Sequence, residues 1–322
     1  CLSFMLITYV CFSQKKELRS AQKLMNQSFY TEALAELSKI EKLIPNSETK
    51  YQSQYHYLLG WAQKMDKDFE NSVENLKKVL EINKSSDYAV ESSKIISDLE
   101  IELVNLAIED NDTKSFITAS EKLFLAYSID KENPNNQNYL YFSAGSLVNA
   151  NEYEKALTYY ENLKKIGYTG VQNQYYVTEI ESEEEIEVTE QQYEILKKRQ
   201  KEYKNPRINK TISRLPEIIK NIALIYVQLG ENEKAISAIK DARKINPDDV
   251  NLILNEADLY IRLGDRNKFK ELMEQAIEKD PNNAVLYYNL GVISGEQGMI
   301  DNAVSYYKKA LEIDPLYSAT YL

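Results

Sequence analysis

His56 is the only histidine in this chain, so it is the first residue to test for chemistry. With no second imidazole, the usual zinc sets and every histidine-based nucleophile triad lose a required member. His56 is therefore expected to be a packing residue. Both cysteines, Cys1 and Cys11, fall within the first eleven residues. A chain trimmed of that segment has no thiol to form a disulfide, ligate a metal or act as a nucleophile. The acidic run Glu179, Glu181, Glu183, Glu184, Glu185 and Glu187 is rich in oxygen ligands. It lacks the Asp/Asn-Gly spacing of a calcium loop and reads instead as a solvated hairpin. No glycine-rich phosphate loop, Gly-x-Ser-x-Gly or His-Glu-x-x-His occurs. No catalytic, cofactor-binding or metal site is expected, and the chain is not expected to be an enzyme.

Aromatic side chains are the remaining resource: 25 tyrosines and one tryptophan. Such groups serve as anchors in protein interfaces, provided the fold presents them. Composition points to helices. Glycine (9) and proline (7) are too scarce for the turns of a 322-residue sheet protein. The net charge of −11 argues against a nucleic-acid or anionic-membrane partner, either of which needs a basic footprint.

The elements that would position the aromatics emerge from an internal period. Pro247, Pro281 and Pro315 are 34 apart, as are Ala242, Ala276 and Ala310, and Gly230, Gly264 and Gly298. The last full unit reads Tyr287-x2-Leu290-Gly291, then Ala303-x3-Tyr307-x2-Ala310-x4-Pro315. This pattern resembles the tetratricopeptide-repeat (TPR) family. Ser294 stands where the family expects tyrosine; Tyr226 and Tyr260 fill that place in the two preceding units. Units are placed at 14–47, 53–86, 100–133, 137–170, 216–249, 250–283 and 284–317, and 318–322 begins an eighth. The resemblance implies an all-α solenoid of about seven helix-turn-helix repeats.

In each unit a small residue midway along the first helix lets the second approach: Ala21, Gly60, Ala107, Ala144, Ala223, Ala257 and Gly291. The facing residue is Ala33, Ser72, Ala119, Ala156, Ala235 or Ala303. Phe269 is the exception, and its helix pair is expected to splay or repack. The repeat glycines should end first helices in a left-handed conformation, and the prolines should end second helices.

Residues 171–215 break the period. Stretches 175–180 and 186–189 alternate as strands around a turn at 182–185, so a small β-hairpin is expected, then a helix over 191–202 and a loop to Pro216. Four regions follow: a signal-peptide remnant (1–13), an N-terminal array of four repeats (14–170), the insert (171–215) and a C-terminal array (216–322). The remnant is read from the uncharged apolar run 2–12 and the polar residues after it. A membrane anchor or a lipidated Cys11 is the alternative at that end. Export to a bacterial periplasm or cell envelope is expected, with membrane contact only through such an anchor.

By resemblance to the family, positions 2, 5, 9, 12 and 13 of each first helix line a concave groove. Those positions nominate Tyr57, Trp61, Tyr141, Lys220, Asp258, Arg262 and Tyr288 as partner-binding residues. Position 9 is Gln22, Trp61, Ile108, Gly145, Leu224, Asp258 and Val292. The absence of asparagine there disfavours the carboxylate grip that one TPR subclass applies to chaperone tails. The expected function is a non-catalytic scaffold or adaptor that binds a protein or peptide. Two other readings stay open: a sensory or docking region of a larger enzyme, and a structural component that self-associates through an uncapped end.

Overall fold

The computed structural model describes residues 2–316, with side chains described for 14–316 apart from Ile245. Of the signal-peptide remnant only the backbone of 2–13 is described, as the start of a helix, and the beginning of an eighth repeat at 318–322 lies outside the described residues. Among those described, no helix is long and apolar enough to cross a membrane.

Helices dominate, and they pair. The N-terminal unit, 1–150, holds α1 (Leu2–Asn26), α2 (Tyr30–Ser38), a 3-10 helix (Glu41–Asn46), α3 (Thr49–Met65), α4 (Phe69–Ile82), α5 (Asp87–Asp112), α6 (Phe116–Ile129) and α7 (Gln137–Asn149). The second unit, 151–322, holds α8 (Tyr153–Lys165), β1 (Asn173–Glu179), β2 (Glu185–Val188), α9 (Glu190–Leu196) and β3 (Tyr203–Lys210). It continues with α10 (Leu215–Gln228), α11 (Asn232–Ile245), α12 (Val250–Arg262), α13 (Arg266–Lys279), α14 (Ala284–Glu296) and α15 (Ile300–Ile313). Apart from α9 in the insert and the early start of α5, the helices follow the register of the seven expected repeats.

Small residues set the pairing distance. Ala21, Ala107, Ala144, Ala223 and Ala257 are buried, and so are Ala33, Ser72, Ala119, Ala156, Ala235 and Ala303. At Gly60 a Cβ would stand 2.7 Å from Leu76 Cγ and 3.1 Å from the Ser72 carbonyl oxygen. The Ser72 hydroxyl donates back to the Gly60 carbonyl at 2.7 Å, tying α4 to α3. Phe269 does not splay its pair: α12 and α13 remain closely packed. The ring is buried in a cluster with Ile253, Ala257, Leu272 and Met273.

Every one of the seven repeats turns at a left-handed residue. Gly230, Gly264 and Gly298 take φ of 76°, 81° and 75°. The four N-terminal repeats use Ser28, Lys67, Lys114 and Asn151 at the same place, with φ of 61–64°. The next amide closes the turn: Asp68 N–H donates to the Gln63 carbonyl at 2.9 Å and Ser115 N–H to that of Asp110 at 2.7 Å. A side chain in this region costs about 1–2 kcal/mol. Lys114→Gly is accordingly expected to stabilise the N-terminal unit by about 1 kcal/mol, after the entropy glycine adds to the unfolded chain. Urea titration checks it; a loss of stability would contradict the assignment.

The insert differs from expectation beyond its hairpin. β1 pairs antiparallel with β2, Tyr176 opposite Glu187 and Tyr175 opposite Val188. A third strand, β3, occupies the stretch expected to end a helix and run on as loop, and the sheet order is β2-β1-β3. Pro206 hid it from sequence reading, because proline breaks a strand pattern except at a sheet edge, where β3 lies. The helix expected over 191–202 is confined to α9, which starts at a capping box of Thr189 and Gln192. Glu185 pairs with Arg207 and Glu183 with Lys204 across the sheet, so part of the acidic run neutralises basic β3.

The insert does not separate α8 from α10. Asn221 of α10 donates to the Tyr160 hydroxyl at 3.0 Å, and Tyr226 donates to Glu161 at 2.5 Å. The sheet loops out between two helices that stack directly. Its base is closed where Thr211 N–H donates to the Gln172 carbonyl at 2.9 Å and Arg214 N–H to that of Thr169 at 2.7 Å. By internal packing the chain divides after Ala150, which places α8 and the sheet with the C-terminal helices.

Candidate partner-binding site

The nominated residues meet different fates. Tyr57 on α3 is only 9% exposed, and its ring lies 5.3 Å from that of Tyr88 in the first turn of α5. The cause is the length of α5, which starts at Asp87 although the repeat register begins at 100. Its extra N-terminal turns lie along α3 and cover position 5 of the second repeat. Tyr57 is thus a packing residue of the N-terminal core. Trp61, one turn further along, is half-buried, with its ring 5.9 Å from that of Tyr57. Tyr141 on α7 is 8% exposed and stacks edge-on against Phe142 at 5.3 Å.

In the second unit, Lys220 on α10 is exposed, and Arg262 pairs with Asp258 at 3.0 Å along α12. Tyr288 on α14 is half-buried beside Tyr307, ring centroids 5.7 Å apart. The structure therefore brings together Tyr57 with Trp61 and Asp258 with Arg262. The other nominated residues stand on separate helices.

The most exposed apolar groove positions lie on α5 and were not nominated. Ile101 and Ile108 occupy positions 2 and 9 of the third repeat and are 61% and 55% exposed. Val104, at position 5 between them, is half-buried, and Met65 at position 13 of the second repeat is exposed. Side-chain bonds place the neighbours of this face. Lys64 of α3 reaches Glu102 at 3.2 Å on one flank. On the other, Tyr139 of α7 donates to Glu100 at 3.2 Å and Ser146 donates to Asn111 at 2.9 Å. Ile101, Val104 and Ile108 therefore lie on the face of α5 between the flanks that contact α3 and α7. Three apolar residues at groove positions 2, 5 and 9 of one repeat was the sequence signal; aromatic residues elsewhere drew attention from it.

His56 sits in a cleft of about 380 Å³ between the 3-10 helix and the α3–α4 pair. Asn75 spends both amide hydrogens on Gln63 and the Asn71 carbonyl, so its Oδ1 accepts from His56 Nδ1 at 2.8 Å. Burial pushes the imidazole pKa down from its ordinary value, against an upward pull from the Asn75 hydrogen bond. A lowered histidine pKa means the unfolded chain binds the proton more readily. The stability His56 contributes is present above about pH 6.5 and is lost as pH falls through that value toward the folded pKa. Its imidazole NMR signal, the only one in the chain, is expected to titrate below pH 6.5; a midpoint above that value would contradict its burial.

Family models of the tetratricopeptide repeat match residues 53–86, 226–292 and 284–317. Comparison with curated proteins finds no match. Among solved structures, YrrB, described as a TPR protein with an unusual peptide-binding site, is 15% identical. The alignment covers 77% of this chain and 97% of YrrB, with a TM-score of 0.39. The thermophilic TPR protein TTC0263 of Thermus thermophilus is 18% identical over 69% of this chain and 95% of its own, TM-score 0.39. A TPR protein from Parabacteroides merdae ATCC 43184 is 14% identical over 96% of both chains, TM-score 0.39. With its helix pairs in the matched register, this chain is a tetratricopeptide-repeat protein.

Proposed function

We propose that this protein is a non-catalytic adaptor that holds a segment of another protein on the α3–α5–α7 face of its N-terminal unit. TPR proteins are in general protein-interaction scaffolds. The observation that carries the finer reading is the exposure of Ile101 and Ile108 at groove positions. Isolated exposed apolar residues are common, but a lined-up set flanked by contacts to two helices is the form an interaction site takes. Trp61 and Met65 extend the same apolar surface on α3.

The test is site-specific photo-crosslinking in the native cell. A crosslinker at position 101 or 108 should capture one discrete partner, whereas one at the exposed Glu121 on α6 should not. Equal capture from all three positions, or none from 101 and 108, overturns the reading.

We also propose that the adaptor works in a bacterial cell envelope, on the strength of the apolar run 2–12 and the polar residues that follow it. Recovery of the protein only with the cytosol on fractionation would contradict this.

A further inference from the structure

We propose that the partner segment is an amphipathic helix whose basic flank faces α3, docked along the whole of α5 and past the end of the repeat groove. The proposal rests on the adaptor reading above. Val90, 67% exposed, lies in the part of α5 that precedes the repeat register. Ile101 is 11 residues further on and Ile108 another 7. At 3.6 residues per turn, the three fall within about 20° of one line and span about 27 Å. Spacings of 11 and 7 are the intervals at which a second helix presents its own apolar seam. An extended peptide would bring a side chain to this face every second residue and would meet gaps between the contacts on α5.

Charge gives the partner its sign. Glu91, Asp98 and Glu109 lie about 80–100° round α5 from the apolar line, and Asp112 about 40°. All four are exposed, and none takes part in an ion pair among the described residues. They share the flank on which Glu102 meets Lys64 of α3. Lys94 is the only basic residue on the exposed arc of α5. A partner with lysines or arginines along that edge would pair with carboxylates already at the water boundary, gaining complementarity without desolvating a buried charge. The chain's own net charge of −11 disfavours a second copy as the occupant.

The probe is a synthetic peptide of about 20 residues with leucines at heptad spacing and lysines along one flank, titrated against the full chain by fluorescence anisotropy. Its expected affinity is roughly tenfold or more above that of three controls: scrambled leucines, glutamates in place of the lysines, and a central proline. Asp98→Lys with Glu109→Lys should reverse the preference between lysine and glutamate peptides. Ile101→Glu with Ile108→Glu should weaken binding of the lysine peptide roughly tenfold.

Equal binding of the proline peptide, or a charge preference unmoved by the lysine variant, overturns the helix proposal. If the isoleucine variant still weakens every peptide, the adaptor reading stands without it. If that variant weakens none, both fall. A concentration-dependent dimer abolished by Ile108→Glu would show a second copy as occupant and also overturn the proposal.

Discussion

Gly60→Val is expected to lower the stability of the N-terminal helix pairs by about 3 kcal/mol, the upper part of the range for overpacking a tight core. The reason is geometric. Even a methyl group would meet Leu76 Cγ at 2.7 Å and the Ser72 carbonyl oxygen at 3.1 Å. The second of these is backbone of α4, which the bond from the Ser72 hydroxyl to the Gly60 carbonyl ties to α3. Valine adds two carbons beyond that methyl to a crowded site, and Leu76 is fully buried. Gly291 makes an instructive contrast. There a methyl would meet the ring of Tyr307, the far end of a half-buried side chain that can swing outward. Gly291→Ala should therefore cost much less than Gly60→Ala. Trp61, the only tryptophan, is next to Gly60 and reports unfolding of that pair by fluorescence in urea. A Gly60→Val midpoint equal to wild type would mean that α3 and α4 do not approach as closely as described.

Glu256→Leu is expected to cost the C-terminal helices about 3 kcal/mol, for an electrostatic reason. Glu256 on α12 has a side chain only 3% exposed, and it pairs with Arg243 of α11, itself 22% exposed. Arg243 also donates to Gln275 of α13 at 3.0 Å, so one guanidinium spans three successive helices. Removing the carboxylate leaves that cation with a single neutral partner in a dry place, the costly way to break a buried pair. Glu256→Gln keeps an acceptor and should cost about 1 kcal/mol. The double variant Arg243→Met with Glu256→Leu removes both charges and should recover most of the loss. Thermal denaturation followed by circular dichroism measures all three. Additive losses in the double variant would show that the two side chains act independently.

The sequence revealed the solenoid because its period is enforced by contacts within each repeat. A small residue at the crossing, a left-handed residue at the turn and a proline after the second helix are local requirements, and each leaves a mark at a fixed spacing. Even so, only three of the seven turns use glycine. Lys67 and Lys114 adopt the same backbone at an energetic cost that leaves no compositional sign. Asp249 and Asn283, each two residues after a repeat proline, cap the next helices, accepting from the amides of Asn251 and Val285.

The candidate site was less legible, because exposure at a groove position depends on what the neighbouring helix does. Tyr57 occupies the expected position and is covered by an early start of α5. That start had a local signal, Ser86 followed by Asp87, and the Ser86 hydroxyl does accept from the Ala89 amide. What no local pattern conveys is that these extra turns would lie on α3. The same overrun that buries Tyr57 adds Val90 to the line of Ile101 and Ile108. β3 escaped for a related reason: its pairing partner β1 is about 30 residues upstream, and Pro206 breaks its own pattern.

Isothermal titration of the protein that crosslinks at position 108, against wild type and against the Ile101→Glu, Ile108→Glu variant, examines the α5 face most directly. The variant should keep the wild-type melting temperature, since both side chains are exposed, and bind at least roughly tenfold more weakly. An unchanged affinity with an intact fold would mean that the partner is held elsewhere.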